Sequence, residues 1–161
     1  MTETLAIIPQ GVLDLIESRR TSAAWRELDD MDLALAKLPQ ADFKVRHVFT
    51  PGLCVRELMI PAGTLVTSRI HLFEHPFIIS LGIVSVWSDE CRWEIMAAPH
   101  TGVTLPATRR AVYAHEDTIW STLHATNETD PDKILAAGTY NHLKLGHLSA
   151  IPADQTTKEL T

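Results

Sequence analysis

The sequence predicts a mostly-β protein: a single antiparallel β-barrel or jelly roll, with helices ahead of it and one short helix behind. Three observations predict it. Between residues 45 and 125, short runs rich in Val, Ile, Thr and aromatics are cut by Pro and Gly at intervals of roughly 8–12 residues, the rhythm of an antiparallel sandwich or barrel. No helical pattern of about 10–15 residues separates those runs, so alternating β-α-β units, and with them Rossmann and TIM-type folds, are excluded. Helical apolar spacing is confined to the first 44 residues and to a short stretch that begins near residue 131.

Residues 1–44 form the first zone, a helical arm. Pro9-Gln10-Gly11 precedes Val12, Leu13, Leu15 and Ile16, roughly one apolar face. Ser22 is placed to cap a second helix, because its hydroxyl satisfies free N-terminal amides. That helix carries Trp25, Leu28, Met31, Leu35 and Leu38 on one side and Arg26, Asp29, Asp30 and Lys37 on the other, and Pro39 stops it. Such an amphipathic arm needs a surface to cover.

Residues 45–125 form the barrel zone. The strand-like runs are Val45–Thr50, Leu53–Ile60, Thr64–His71, Phe77–Leu81 after a break near Pro76, Ile83–Trp87, Cys91–Ala97, Val103–Leu105, Arg109–Tyr113 and Thr118–His124. Residues 126–161 hold a C-terminal helix and tail. Asp130 caps that helix, Pro131 suits its first position, Asp132 meets the positive end of its dipole, and Gly138 ends it. Beyond it the chain grows polar, and Gln155–Thr161 reads as a loose tail or a partner-dependent segment.

A chain of 161 residues with 45% hydrophobic and 21% charged residues has ordinary globular proportions and enough apolar surface for a core. Its formal charge of −6, without a basic run, excludes a broad face for nucleic-acid phosphates or an anionic membrane surface. No stretch approaches the ~20 apolar residues of a spanning helix, and the acidic Glu3, Asp14 and Glu17 argue against a secretory signal. Cys54 and Cys91, isolated on strand-like runs, read as buried thiols of a reducing compartment.

The window Gly63–Gly82, GTLVTSRIHLFEHPFIISLG, carries the chemistry. Residues two apart on a strand share a face, so Arg69 and His71 point the same way, and the next strand returns His75 beside them. The spacing resembles the first motif of the cupin superfamily. Gly63 and Gly82 fall on its two glycines and His71 on its second histidine, whereas Arg69 replaces its first histidine and His75 its glutamate. The second cupin motif is reduced to Gly102 and Pro106, with Ala111 where a histidine would stand. His124, sharing a face with Trp120 and Thr122, is the candidate substitute.

A closer resemblance, covering roughly residues 47–135, is to small cupin-like proteins encoded by tailed bacteriophages. It rests on His47-x-Phe49-x-Pro51-Gly52, Val55-Arg56-Glu57-Leu58, Ile60-Pro61-Ala62-Gly63 and Ile70-His71-x-x-x-His75. Ala98-Pro99, Arg109-Arg110 and the run from Ala114 to Thr126 complete it. The resemblance implies a cupin-type barrel with a His-based metal site at His71, His75 and His124, for one divalent transition metal such as Zn, Fe, Ni or Mn. No cofactor is fixed by it, and Arg69, a permanent cation beside that site, argues for a degenerate centre or an anion-binding pocket, with Arg110 as a second anion contact.

Other features have plainer readings. His115-Glu116-Asp117 reads as a solvated turn, and Trp87, Trp93 and Trp120 as core. Arg109-Arg110 suits either a grip on a carboxylate or phosphate or a surface or interface salt bridge. Asn127-Glu128-Thr129 matches a glycosylation acceptor by chance in a chain without secretory context. No catalytic residue is assigned.

Two functions of different classes follow. The first is a non-enzymatic phage protein, a virion structural or assembly component whose barrel is a rigid module and whose helical arm docks on a neighbouring subunit. It would sit in the host cytoplasm or in the virion. The second is a metal-dependent cupin enzyme or small-molecule-binding protein built on His71, His75 and His124. Either way the expected partners are further copies of the chain or other virion proteins, with no nucleic acid and no membrane.

Overall fold

A computed structural model describes residues 8–87 and 92–143. Cys91 and the Gln155–Thr161 tail lie outside the described residues. The chain begins with α1 (Gln10–Arg19) and α2 (Ala23–Leu35), continues through β1 (Lys44–Thr50), β2 (Leu53–Ile60), β3 (Leu65–Thr67), β4 (Ile70–His71), β5 (His75–Leu81) and β6 (Ile83–Trp87), and then β7 (Trp93–Ala97), β8 (His100–Thr104), β9 (Ala111–Ala114) and β10 (Thr118–Ala125). It closes with α3 (Pro131–Gly138) and β11 (Thr139–Tyr140). None of the described helices is long and apolar enough to cross a membrane.

Two antiparallel sheets face each other. One has the order β1-β2-β10-β5-β8 and the other β3-β9-β6-β7. Strands distant in sequence lie side by side, β2 along the whole of β10 and β3 along β9, which is the jelly-roll connection. The fold is therefore mostly β, a cupin-like jelly roll flanked by helices. Inward residues alternate along each strand, so Leu58, Ile60, Phe77, Ile79, Val84, Val86, Val112 and Trp120 meet in one core between the sheets. Edge strand β1 is the exception, exposed on both faces except at His47.

Both motif glycines have backbone reasons. Gly63 and Gly82 sit at φ 77° and 93°. At Gly82 a Cβ would come within 2.5 Å of the Asp117 carbonyl oxygen. Ala107 adopts φ 62° without being glycine. It is held there by its N–H bond to the His71 carbonyl (2.7 Å), while its own carbonyl accepts from Arg19 (2.8 Å).

Several strands differ from the sequence reading. The expected run Thr64–His71 is two strands, because the hydroxyl of Ser68 rather than its carbonyl takes the Arg110 N–H at 2.9 Å and ends the ladder with β9. β4 then pairs with β11. Pro76 does not break the chain but lies second in β5, ahead of Phe77 where the pairing with β10 begins. β7 starts at Trp93, β8 spans His100–Thr104 and β9 spans Ala111–Ala114, each shifted from the expected run. Trp93, expected in the core, is 43% exposed on the outward face of its strand, where Ile95 also points. Cys54 is buried, as expected.

The arm does not wait for a neighbouring subunit. Val12, Ile16, Trp25 and Leu28 pack with Ile70, Leu72, Ala107 and Ala111 of their own barrel. The Ser22 hydroxyl caps α2 through the Trp25 N–H. Arg109, expected either to grip a carboxylate or phosphate or to form a surface or interface salt bridge, holds two carboxylates of its own chain and is 1% exposed. Its guanidinium bonds Asp29 at 2.7 Å and Asp32 at 2.9 Å and lies 5.2 Å from the centre of the Trp25 ring. A buried cation with two carboxylates cannot lose its charge without stranding them.

Arg109→Met is accordingly expected to lower the unfolding free energy by about 3–5 kcal/mol in urea titration. Arg46→Met, which breaks the exposed Arg46–Glu57 pair, should change it by less than about 1 kcal/mol.

Candidate ligand-binding site

A cavity of about 150 Å³ opens between the two sheets at the end of the barrel where β4, β5 and β10 carry their histidines. Its inner wall is apolar, with Leu58, Ile60 and Trp120 from one sheet and Val66 and Val112 from the other. Trp120 stacks parallel on Phe77, with ring centres 4.6 Å apart.

The three histidines singled out in the sequence do meet. The ring centres of His71 and His75 are 4.9 Å apart, and those of His75 and His124 4.6 Å. His71 is fixed by its β4 backbone, whose N–H bonds the Thr108 carbonyl at 2.9 Å and whose partner across the ladder is Thr139. His75 opens β5, and its Nδ1 donates to the Phe73 carbonyl at 3.0 Å, which fixes the tautomer. Its Nε2 is buried without a partner. His124 Nε2 is engaged with the Thr122 hydroxyl at 2.9 Å.

All three are held neutral. Burial, then the neighbouring His75, Arg110, His124 and Arg56, brings His71 down to about 3. Burial first and His75 second bring His124 to about 4. Burial also lowers His75.

The donor set does not fit a divalent metal. Among the described residues no three His, Cys, Asp or Glu side chains form a group that could hold one. The three rings lie edge-on or tilted, one nitrogen is enclosed and another is bonded to Thr122. The charged neighbours are guanidinium groups, which disfavour a dication.

Those guanidinium groups define the site. Arg69, on the link between β3 and β4, and Arg110, just ahead of β9, are the two residues expected as anion contacts, and both line the cavity. Arg110 donates to the Thr104 hydroxyl at 2.7 Å and lies 5.0 Å from the centre of the Phe77 ring. Arg56 was missed. It sits on β2 between His47 and Thr122 and also lines the cavity. Burial pushes its guanidinium below the ordinary range, and no hydrogen bond or ion pair to a described residue offsets it. A signal existed, since Cys54, Arg56, Leu58 and Ile60 alternate along β2 and an arginine in that series must face inward.

The C-terminal segment roofs the opening, which no sequence pattern announced. Leu135, Thr139, Tyr140 and His142 line the cavity. The segment is fastened by the two-residue β11–β4 ladder, by the Leu72 N–H to the Gly138 carbonyl (2.9 Å) and by His142 Nε2 to Asp29 at 2.8 Å. His115-Glu116-Asp117 is the turn expected, its histidine bonded to Ser85 at 2.7 Å.

No protein family matches the chain, and neither does any curated protein. Among solved structures, the chain is similar to KdgF from Halomonas sp., at 16% identity over 56% of this chain and 90% of that one, with a TM-score of 0.46. It is similar to an RmlC-like cupin from Shewanella frigidimarina, at 12% identity over 53% and 78%, with a TM-score of 0.44. It is likewise similar to the cupin domain of Cnp3 from Schizosaccharomyces pombe, at 16% identity over 58% and 67%, with a TM-score of 0.45. These overlaps are partial, and the strand order of the two sheets defines the fold by itself.

The depressed imidazoles give a signed expectation. Each takes up a proton near pH 6.5 in the unfolded chain and only at lower pH when folded. Their contribution is therefore complete above about pH 6.5 and is lost as pH falls, by up to about 1.4 kcal/mol per pH unit for each imidazole, down to its folded value. Unfolding free energies measured between pH 7.5 and pH 5 should fall less steeply in His124→Asn than in the parent chain.

Proposed function

We propose that this protein is a metal-free small-molecule binder whose jelly roll encloses an anionic ligand. One observation carries the reading: Arg56, a part-buried guanidinium without a counter-charge among the described residues, faces the same small cavity as Arg69 and Arg110. The acidic side chain among the described lining residues is Asp32, which already bonds Arg109. Removing a cation from water without a partner costs several kcal/mol, and an anion in the cavity offsets that cost. The neutral imidazoles of His71 and His75 in the lining support the same reading, because they offer hydrogen bonds without adding charge to a crowded cationic site, whereas His124 lies behind His75 and outside the lining.

A virion or assembly role finds no comparable support among the described residues. The feature that suggested subunit docking, the apolar face of the arm, is covered by the protein's own barrel.

Arg56→Met separates binding from folding. An unliganded site with an uncompensated cation is a strained one, so this variant is expected to unfold at higher urea than the parent, by about 1 kcal/mol or more. It should also lose the ligand-induced rise in unfolding temperature that small carboxylates or inorganic phosphate give the parent chain. A parent chain that no such anion stabilises beyond sodium chloride of equal ionic strength, with no gain in Arg56→Met, would contradict the reading.

A further inference from the structure

The geometry points to a specific ligand class: a monocarboxylate with a compact, flat apolar body about the size of one six-membered ring. This rests on the anion-binding reading and narrows it.

The cavity is divided by chemistry. Its cationic part is supplied by Arg56 and Arg110, with the His71 ring beside them, whose nitrogens make no hydrogen bond to a described residue. Its other part is hydrocarbon, with Trp120 in one sheet and Val66 and Val112 in the other. A free phosphate or a short carboxylate would satisfy the first part and leave the second facing water. Burying apolar wall against an apolar body is favourable in proportion to the area covered. An ion without such a body forgoes that gain.

Size and shape narrow the body. A volume of about 150 Å³ is the size of cavity that takes up a single benzene ring. The gap lies between facing sheets and is lined by the aromatic rings of Phe43, Trp120 and Tyr140, of which Trp120 is held flat by its parallel stack on Phe77. Arg110 is held over the opposite partner of that stack, 5.0 Å from the Phe77 centre, while its Nη1 is tied to Thr104. Arg110, already engaged, contributes its charge, and the fork of Arg56, which makes no hydrogen bond to a described residue, matches a planar carboxylate with two parallel hydrogen bonds. The lone pairs of the two carboxylate oxygens that the fork does not use are open to the N–H of the neutral His71 ring.

The test is a binding series on the full chain at constant ionic strength, by calorimetry or by ligand-induced shift of the unfolding temperature. The probes are benzoate, cyclohexanecarboxylate, acetate, benzamide and inorganic phosphate. Benzoate is expected to bind at least tenfold tighter than acetate, phosphate and the uncharged benzamide, and tighter than cyclohexanecarboxylate. Val66→Phe, which fills the hydrocarbon part from a half-buried position, should weaken benzoate at least tenfold and leave acetate unchanged. If acetate or phosphate binds as well as benzoate, the ligand class proposed here is wrong while the anion-binding reading stands. If benzamide binds as well as benzoate, or if none of the five binds, the anion-binding reading fails with it.

Discussion

The whole arrangement depends on one buried cation. Arg109 leaves the strand region just ahead of β9, passes under the arm and binds Asp29 and Asp32 on α2. Asp29 in turn receives His142 from the segment that roofs the cavity. Three parts of the molecule that would otherwise only touch, the barrel, the arm and the roof, are thereby referred to a single guanidinium. Burial raises the Asp32 carboxyl, and the neighbouring Thr67 hydroxyl and Arg109 oppose that rise. The ion pairs sit beside an apolar seam of Trp25, Leu28, Ile70 and Leu72. That seam supplies the hydrophobic contribution, and the directional bonds fix which face of α2 meets the barrel.

Above this frame, the cavity combines features that oppose one another in an empty site. Its inner walls are hydrocarbon, its cations are the guanidinium groups of Arg56, Arg69 and Arg110 beside one carboxylate, Asp32, that is already bonded to Arg109, and its His71 imidazole is kept unprotonated by burial and by nearby cations. Adding a dication to such a set raises its electrostatic energy, and adding an anion lowers it. The substitution of Arg69 for a cupin histidine and of His75 for a cupin glutamate, visible in the sequence, has this consequence in three dimensions. One departure adds a positive charge and the other removes a negative one, which favours the anion-binding reading proposed above.

Much of the barrel was legible because strand patterning is a local property. Leu53–Ile60 and Ile83–Trp87 were bounded to the residue, since Gly52 and Pro61 flank the first, Gly82 and the polar Ser88-Asp89-Glu90 flank the second, and every inward position is apolar or small except Arg56. The convergence of His71, His75 and His124 was legible for the same reason, through alternation along strands. What stayed hidden depends on pairing between distant segments. The split of Thr64–His71 follows from a hydroxyl of Ser68 competing with its own backbone, and the role of Arg109 from two carboxylates about eighty residues earlier. The roof is a ladder of two residue pairs, too short for any periodicity. Arg56 lay in plain view on an inward position of β2.

The unequal sheets carry a further consequence. Five strands oppose four, and β1, at the margin of the larger sheet, is bare on both faces. It is retained mainly by its ladder to β2, without the packing that secures its neighbours. Segments of that kind detach in local excursions far cheaper than global unfolding. When β1 peels away, water reaches the β2 backbone beside Arg56. The shell thus has a seam on its flank, apart from the roofed mouth, where the backbone of the strand that carries Arg56 is open to solvent whenever β1 detaches.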